Sequence, residues 1–110
     1  MTIDFKNNLY TASLLFRSLR NGVFLPANLW EESLVLIRAV SREEAEEKAC
    51  QLGRSRKLSY KTVDGTELTW EFFKVERVFE IDGLLESGAE VFARHLRNTE
   101  VESLLTPFDE

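Results

Sequence analysis

The segment Leu58-Ser59-Tyr60-Lys61-Thr62-Val63-Asp64-Gly65-Thr66-Glu67-Leu68-Thr69-Trp70-Glu71-Phe72-Phe73 decides the fold. Two strand-forming runs flank Asp64-Gly65, a dipeptide that tolerates the positive φ angles of a two-residue type I′ turn. Leu58–Val63 and Thr66–Trp70 are therefore expected to pair as an antiparallel hairpin. The second arm runs on well past Trp70. Its apolar residues fall first at even positions (Leu68, Trp70, Phe72) and then at odd ones (Phe73, Val75, Phe79, Ile81). A one-residue slip turns every later side chain to the other face, so a bulge or bend is expected between Phe72 and Phe73.

Upstream of the hairpin, Ser41-Arg42-Glu43-Glu44 is a capping box: Ser41 can accept from the Glu44 amide and Glu44 can reach back. Ala45, Ala49 and Leu52 then share one helical stripe, flanked by the Glu44–Lys48 pair, and Gly53 is expected to end the helix in a left-handed conformation. A stripe of mostly small residues implies a helix lying close on a sheet. Before it, Trp30 to Val40 is apolar at both parities: Val35, Ile37 and Ala39 on one side, Trp30, Leu34 and Leu36 on the other. This predicts a strand in the middle of its sheet. Earlier still, Leu9 to Leu19 alternates with period two, which predicts a strand with one apolar face. Arg20 to Leu29 carries Asn21-Gly22 and Pro26 and reads as a connection. Its Val23, Phe24 and Leu25 are expected to fold over the sheet or to form an exposed binding lip.

Downstream, Ala89, Phe92, Ala93 and Leu96 fit a helical stripe, while Val91 to Leu96 also fits a short strand, and periodicity does not separate the two. A second capping box, Thr99-Glu100-Val101-Glu102, opens a short helix that stops at Pro107. A helix with its own cap implies a break before it, which favours a strand over Glu90 to Arg97. Only the ends, Met1 to Asn7 and Pro107 to Glu110, read as loose.

Three stretches in this order carry a resemblance. They are Tyr10-Thr11-Ala12-Ser13-Leu14-Leu15-Phe16; Trp30-Glu31-Glu32-Ser33 with the Ser41–Ala49 helix; and Trp70-Glu71-Phe72 followed by Gly88-Ala89-Glu90-Val91-Phe92-Ala93-Arg94. Together they resemble the small bacterial family catalogued as domain of unknown function 4288. Members typically read Gly-Thr-Glu-Val-Tyr where this chain has Gly88 to Phe92, and Thr and Tyr are strand formers, so the resemblance also favours a strand there. Ala89 and Phe92 depart from that pattern, and the missing tyrosine hydroxyl argues against proton chemistry at this position. The resemblance implies a fold and no established activity.

The expectation for residues 1–110 is one α+β domain. It has a mostly antiparallel sheet of about five strands, a main helix from Ser41 to Leu52 on one face and a short C-terminal helix. At 110 residues, 44% hydrophobic and 30% charged, the composition is that of one small soluble domain. Its net charge of −5 disfavours a general grip on nucleic acid or anionic membrane. The longest aliphatic run, Leu34-Val35-Leu36-Ile37, falls far short of the roughly 20 residues of a membrane span. The first residues carry an acid and no apolar core of a secretion signal, so the cytoplasm is the default compartment.

No nucleotide loop, EF-hand, nucleophile elbow or paired-cysteine motif is present, and with one His and one Cys neither a metal site nor a cofactor is implied. His95 reads as incidental, and Cys50, among acidic neighbours, as a passive thiol. The remaining constellation is acidic and aromatic: Trp30, Glu31, Glu32, Trp70, Glu71 and Glu90, with Arg94. If two of its carboxylates converged beside Trp30 or Trp70, one could be held protonated and act as an acid. On a solvated face they would instead pair with arginines. Arg54, Arg56 and Lys57 could hold an anion or form a solvated turn. One helix cannot cover both faces of such a sheet. The expectation is therefore a non-catalytic interaction or accessory module whose second face is closed by the Val23–Leu25 loop and another protein, most simply a second copy in a homodimer. The alternative is a small-ligand-binding protein or minor enzyme using the acidic-aromatic cluster.

Overall fold

The computed structural model describes residues 8–25 and 29–106, and the two ends read as loose from sequence, Met1 to Asn7 and Pro107 to Glu110, lie outside that range. Among the described residues four strands and two helices follow in the order β1 (Asn8–Arg20), β2 (Trp30–Ala39), α1 (Arg42–Ser55), β3 (Leu58–Lys61), β4 (Glu67–Glu80) and α2 (Asn98–Leu105). The strands form one antiparallel sheet in the order β2-β1-β4-β3. The architecture is α+β, with four strands among the described residues where about five are expected.

The strand at the centre is β1, not the doubly apolar β2. Tyr10, Ala12, Leu14 and Phe16 are buried on the side facing α1, and Thr11 and Ser13 are buried on the other. β2 lies at the sheet edge. Its Ile37 and Ala39 are buried under α1, whereas Trp30, Leu34 and Leu36 on the opposite face remain 45–54% exposed. Apolar residues at both parities here reflect an open second face, not a central position.

The expected bulge is present, and a second one follows. Leu15 pairs with Lys74 and Phe16 with Phe72, which leaves Phe73 as an extra residue; Ser13 pairs with Arg77 and Leu14 with Val75, which leaves Glu76. Trp70, Phe72, Val75 and Val78 consequently all reach the α1 face, at spacings of two, three and three. Phe73, Val75, Phe79 and Ile81 do not share a face: the first bulge turns Val75 away from Phe73, and the second turns it away from Phe79 and Ile81.

The Ser41 hydroxyl accepts from the Glu44 amide at 3.2 Å, as the capping box requires, while the Glu44 carboxylate reaches the Val40 amide at 3.4 Å and Lys48 at 3.0 Å. Ala45, Ala49 and Gly53 form the buried stripe. Gly53 does not end the helix, which continues to Ser55 and is capped by Arg56. It is glycine for want of space: a Cβ there would stand 2.4 Å from Cδ1 of Phe72, whose ring also packs edge-on against Phe16 with centroids 5.9 Å apart.

The hairpin forms with a different turn. A type I′ turn needs positive φ at both central residues, yet only Gly65 has it (φ 85°) and Asp64 does not. The Gly65 amide donates to the Thr62 carbonyl and the Thr62 amide to the Thr66 carbonyl, giving a three-residue connection with glycine in the left-handed position. The carboxylate of Asp64 closes it, accepting from the Thr62 hydroxyl and, at 3.1 Å, from the Thr66 amide. α2 starts two residues early: the Glu100 carboxylate accepts from the Arg97 amide at 3.2 Å, so Arg97 rather than Thr99 is the cap.

Glu90–Arg97 is neither strand nor helix. The Val91 carbonyl accepts from the Thr11 hydroxyl, Phe92 packs on Phe79 at 6.0 Å, and Arg94 reaches Glu32. This segment lies over the sheet face opposite α1 (the outer face) and adds no fifth strand. Apolar groups there are covered by side chains from above rather than by edge pairing.

Two outcomes are expected from this packing. Gly53→Val should lower stability by about 1–3 kcal/mol, the range for overpacking against a ring that cannot withdraw, read as a lower urea midpoint. Hydrogen bonds from the Thr62 hydroxyl and then the Thr66 amide hold the exposed Asp64 carboxyl down to about 2 from an ordinary 3.8. A lowered folded pKa stabilises above the unfolded pKa, and the effect is lost as pH falls through the folded one. Asp64→Ala should therefore melt below wild type at pH 7, with the gap closing between about pH 4 and pH 2; a gap independent of pH would contradict the assignment.

Candidate functional site

Strand parity sorts the acidic-aromatic residues onto two faces. Trp30 and Glu32 pair with Arg17 and Leu15 of β1, and Glu71 pairs with Arg17 from β4, which puts all three on the outer face. Glu31 and Trp70 pair with Phe16 and Ser18 and lie on the α1 face. Trp70 cannot join a pocket with Glu32 and Glu71, because the sheet separates them.

On the outer face the two carboxylates do not converge. β1 stands between them, two strand spacings or roughly 10 Å across, and each has its own cation. Glu71 accepts from Arg17 Nε at 2.8 Å. Glu32 accepts from the Ser13 hydroxyl at 2.7 Å and lies 3.5 Å from the Arg94 guanidinium. Arg17 is also held between rings, its guanidinium carbon 5.1 Å from the centroid of Phe24 and 5.2 Å from that of Phe73. Trp30 packs edge-on against both, at 5.5 Å and 5.0 Å. Phe24 thus folds onto the sheet, while Val23, Phe24 and Leu25 all stay exposed. The closure expected of this loop is shared with the chain's own residues 91–94.

On the α1 face, Glu31 and Trp70 line an open hollow of about 260 Å³ with Phe16, Arg56, Leu58 and Tyr60, just past the end of the helix. Glu90 and His95 are exposed, and Cys50 is a half-buried free thiol. Among the described residues no three His, Cys, Asp or Glu side chains gather as a metal site would need. No helix among them is long and apolar enough to cross a membrane.

The model of a family described as a domain of unknown function, DUF4288, matches residues 9–93. The chain belongs to this family. The DUF4288 match takes in the whole sheet but for its first residue, together with α1 and the segment through Phe92 that crosses the outer face; it stops before Arg94 and α2. No curated protein and no solved structure matches the chain.

Sequence reasoning missed Arg17, which ties the outer cluster together. As one polar residue in an alternating strand it carries no signal until the register sets it between Trp30 and Glu71. Arg17→Ala should lower stability by about 1–3 kcal/mol, combining a partly exposed ion pair with two cation–π contacts. Arg17→Lys should cost less, since the charge stays while the planar stacking is lost. Chemical denaturation measures both, and equal midpoints for all three proteins would remove the cluster's role.

Proposed function

We propose that this DUF4288 domain is a non-catalytic protein-interaction or accessory module of the bacterial cytoplasm that associates with a second copy of itself. The observation that carries this reading is the outer row of β2: Trp30, Leu34 and Leu36, half exposed on an edge strand, with the exposed Phe24 and Phe73 packed against Trp30. Large apolar side chains gathered in one place are the usual mark of a surface that meets protein. The acidic residues beside them support the same reading, because each is matched to an arginine in an open position instead of facing a second carboxylate in a cleft.

Light scattering at micromolar concentration tests it. A particle of twice 12.7 kDa is expected. A monomer across that range would defeat self-association and favour the small-ligand alternative at the hollow lined by Glu31 and Trp70.

A further inference from the structure

Resting on the self-association just proposed, we infer that two copies pair through β2, antiparallel and in one register, so that their two four-stranded sheets join into one. β2 is an edge strand of ten residues. The Ser18 amide donates to the Leu29 carbonyl at 3.0 Å, which fixes the phase of the β1–β2 ladder. Bonded pairs alternate along an antiparallel ladder, so Glu31, Ser33, Val35 and Ile37 bond to β1. Glu32, Leu34, Leu36 and Arg38 turn their backbone groups to the open edge. One of these, the Arg38 carbonyl, accepts from Lys48 of α1 at 2.9 Å.

The side chains of the same four residues form a row on the outer face, opposite Leu15, Ser13, Thr11 and Leu9 of β1. Read along the strand, the row is acid, leucine, leucine, base. It is complementary to itself reversed. A two-fold axis through Val35, normal to the sheet, sets Glu32 of each copy opposite Arg38 of the other and each Leu34 opposite Leu36 of the other. Sliding the strands by one residue would put outer side chains on the α1 face. Sliding by two would bring Glu32 against Leu36 or Val40 and Arg38 against Trp30 or Leu34. Charge therefore selects this register among those the pleat allows. The other edge of the sheet is guarded in the usual way: β3 has only four residues and ends in Lys61. β2 has no proline or lysine, and its middle is Leu34-Val35-Leu36-Ile37.

Charge variants decide the matter. Arg38→Glu or Glu32→Arg alone places like charges at both ends of the pairing, and each should weaken the dimer roughly tenfold or more by sedimentation velocity. An equimolar mixture of the two should recover a heterodimer near wild-type affinity, a recovery that the loss of Glu32 from Arg94 cannot produce. Circular dichroism checks that both variants fold. In a Cys50→Ser background, Val35→Cys should cross-link between chains under mild oxidation, since facing non-bonded residues stand about 4.5 Å apart at Cα. Ser33→Cys, whose copies would lie roughly 13 Å apart, should not. A wild-type dimer that ignores both charge variants and gives no Val35→Cys cross-link would overturn this pairing while leaving self-association standing. A wild-type monomer would overturn both.

Discussion

β4 carries one residue more than β1 can pair at Phe73 and another at Glu76, and the arrangement of both sheet faces depends on the first of these. Side chains alternate along a strand, so an unbulged β4 would send Phe72 and Val75 to opposite faces. With Phe73 inserted, both reach the α1 side. There the ring of Phe72 lies against Gly53 and Phe16, and the helix can approach only because Gly53 has no Cβ. The inserted Phe73 is released to the other side, where it packs on Trp30 and under the guanidinium of Arg17. Alternation sets the two rings on opposite faces, and the single extra residue brings Val75 to the core beside Phe72.

Local features of this fold were legible in the sequence because their causes are local. The Ser41 cap, the period-two face of β1, the hairpin around Gly65 and the parity change at Phe72-Phe73 each depend on neighbours a few residues away. Features set by distant partners were not. Gly53 reads as a helix terminator, since its reason for being glycine lies 19 residues on, in Phe72. β2 reads as central, since an apolar second face looks the same whether covered or open. Glu90–Arg97 has strand-forming residues, but the apolar groups it covers present themselves from the face of the sheet, so it crosses that face without pairing. The candidate site was legible as a list of residues and not as a place. Trp30, Glu32 and Glu71 share a face, and Trp70 and Glu31 share the other, a division that needs the β1 register and the bulge count together.

The ion pairs of the outer face position chain more than they stabilise it. Exposed pairs of this kind contribute about 0–1 kcal/mol each. Their geometry matters more. Arg94 on Glu32 fixes residues 91–94 across the sheet, beside the bond from Thr11 to the Val91 carbonyl and the stacking of Phe92 on Phe79. Arg17 on Glu71 spans β1 and β4 at the opposite end, where it also fills the space between Phe24 and Phe73. The outer face is therefore covered near Phe79 and tied down near Arg17, and its uncovered apolar part is narrowed to the β2 side.

That narrowing places the exposed leucines of β2 beside the backbone groups most able to recruit a partner. An open strand edge and an open apolar face are separate liabilities, and each is ordinarily blunted by charge, brevity or cover. β3 is blunted by its length and by Lys61. In β2 the charges stand only toward the ends, Glu31 and Glu32 before the apolar run and Arg38 after it, so they leave the middle unguarded. Charges of one sign spread along the strand would repel any second copy. Opposite signs at opposite ends repel a parallel copy in register, leave the charges of a slipped copy facing apolar side chains, and attract the antiparallel one in register. The same arrangement that fails to protect β2 against pairing in general makes one particular pairing favourable.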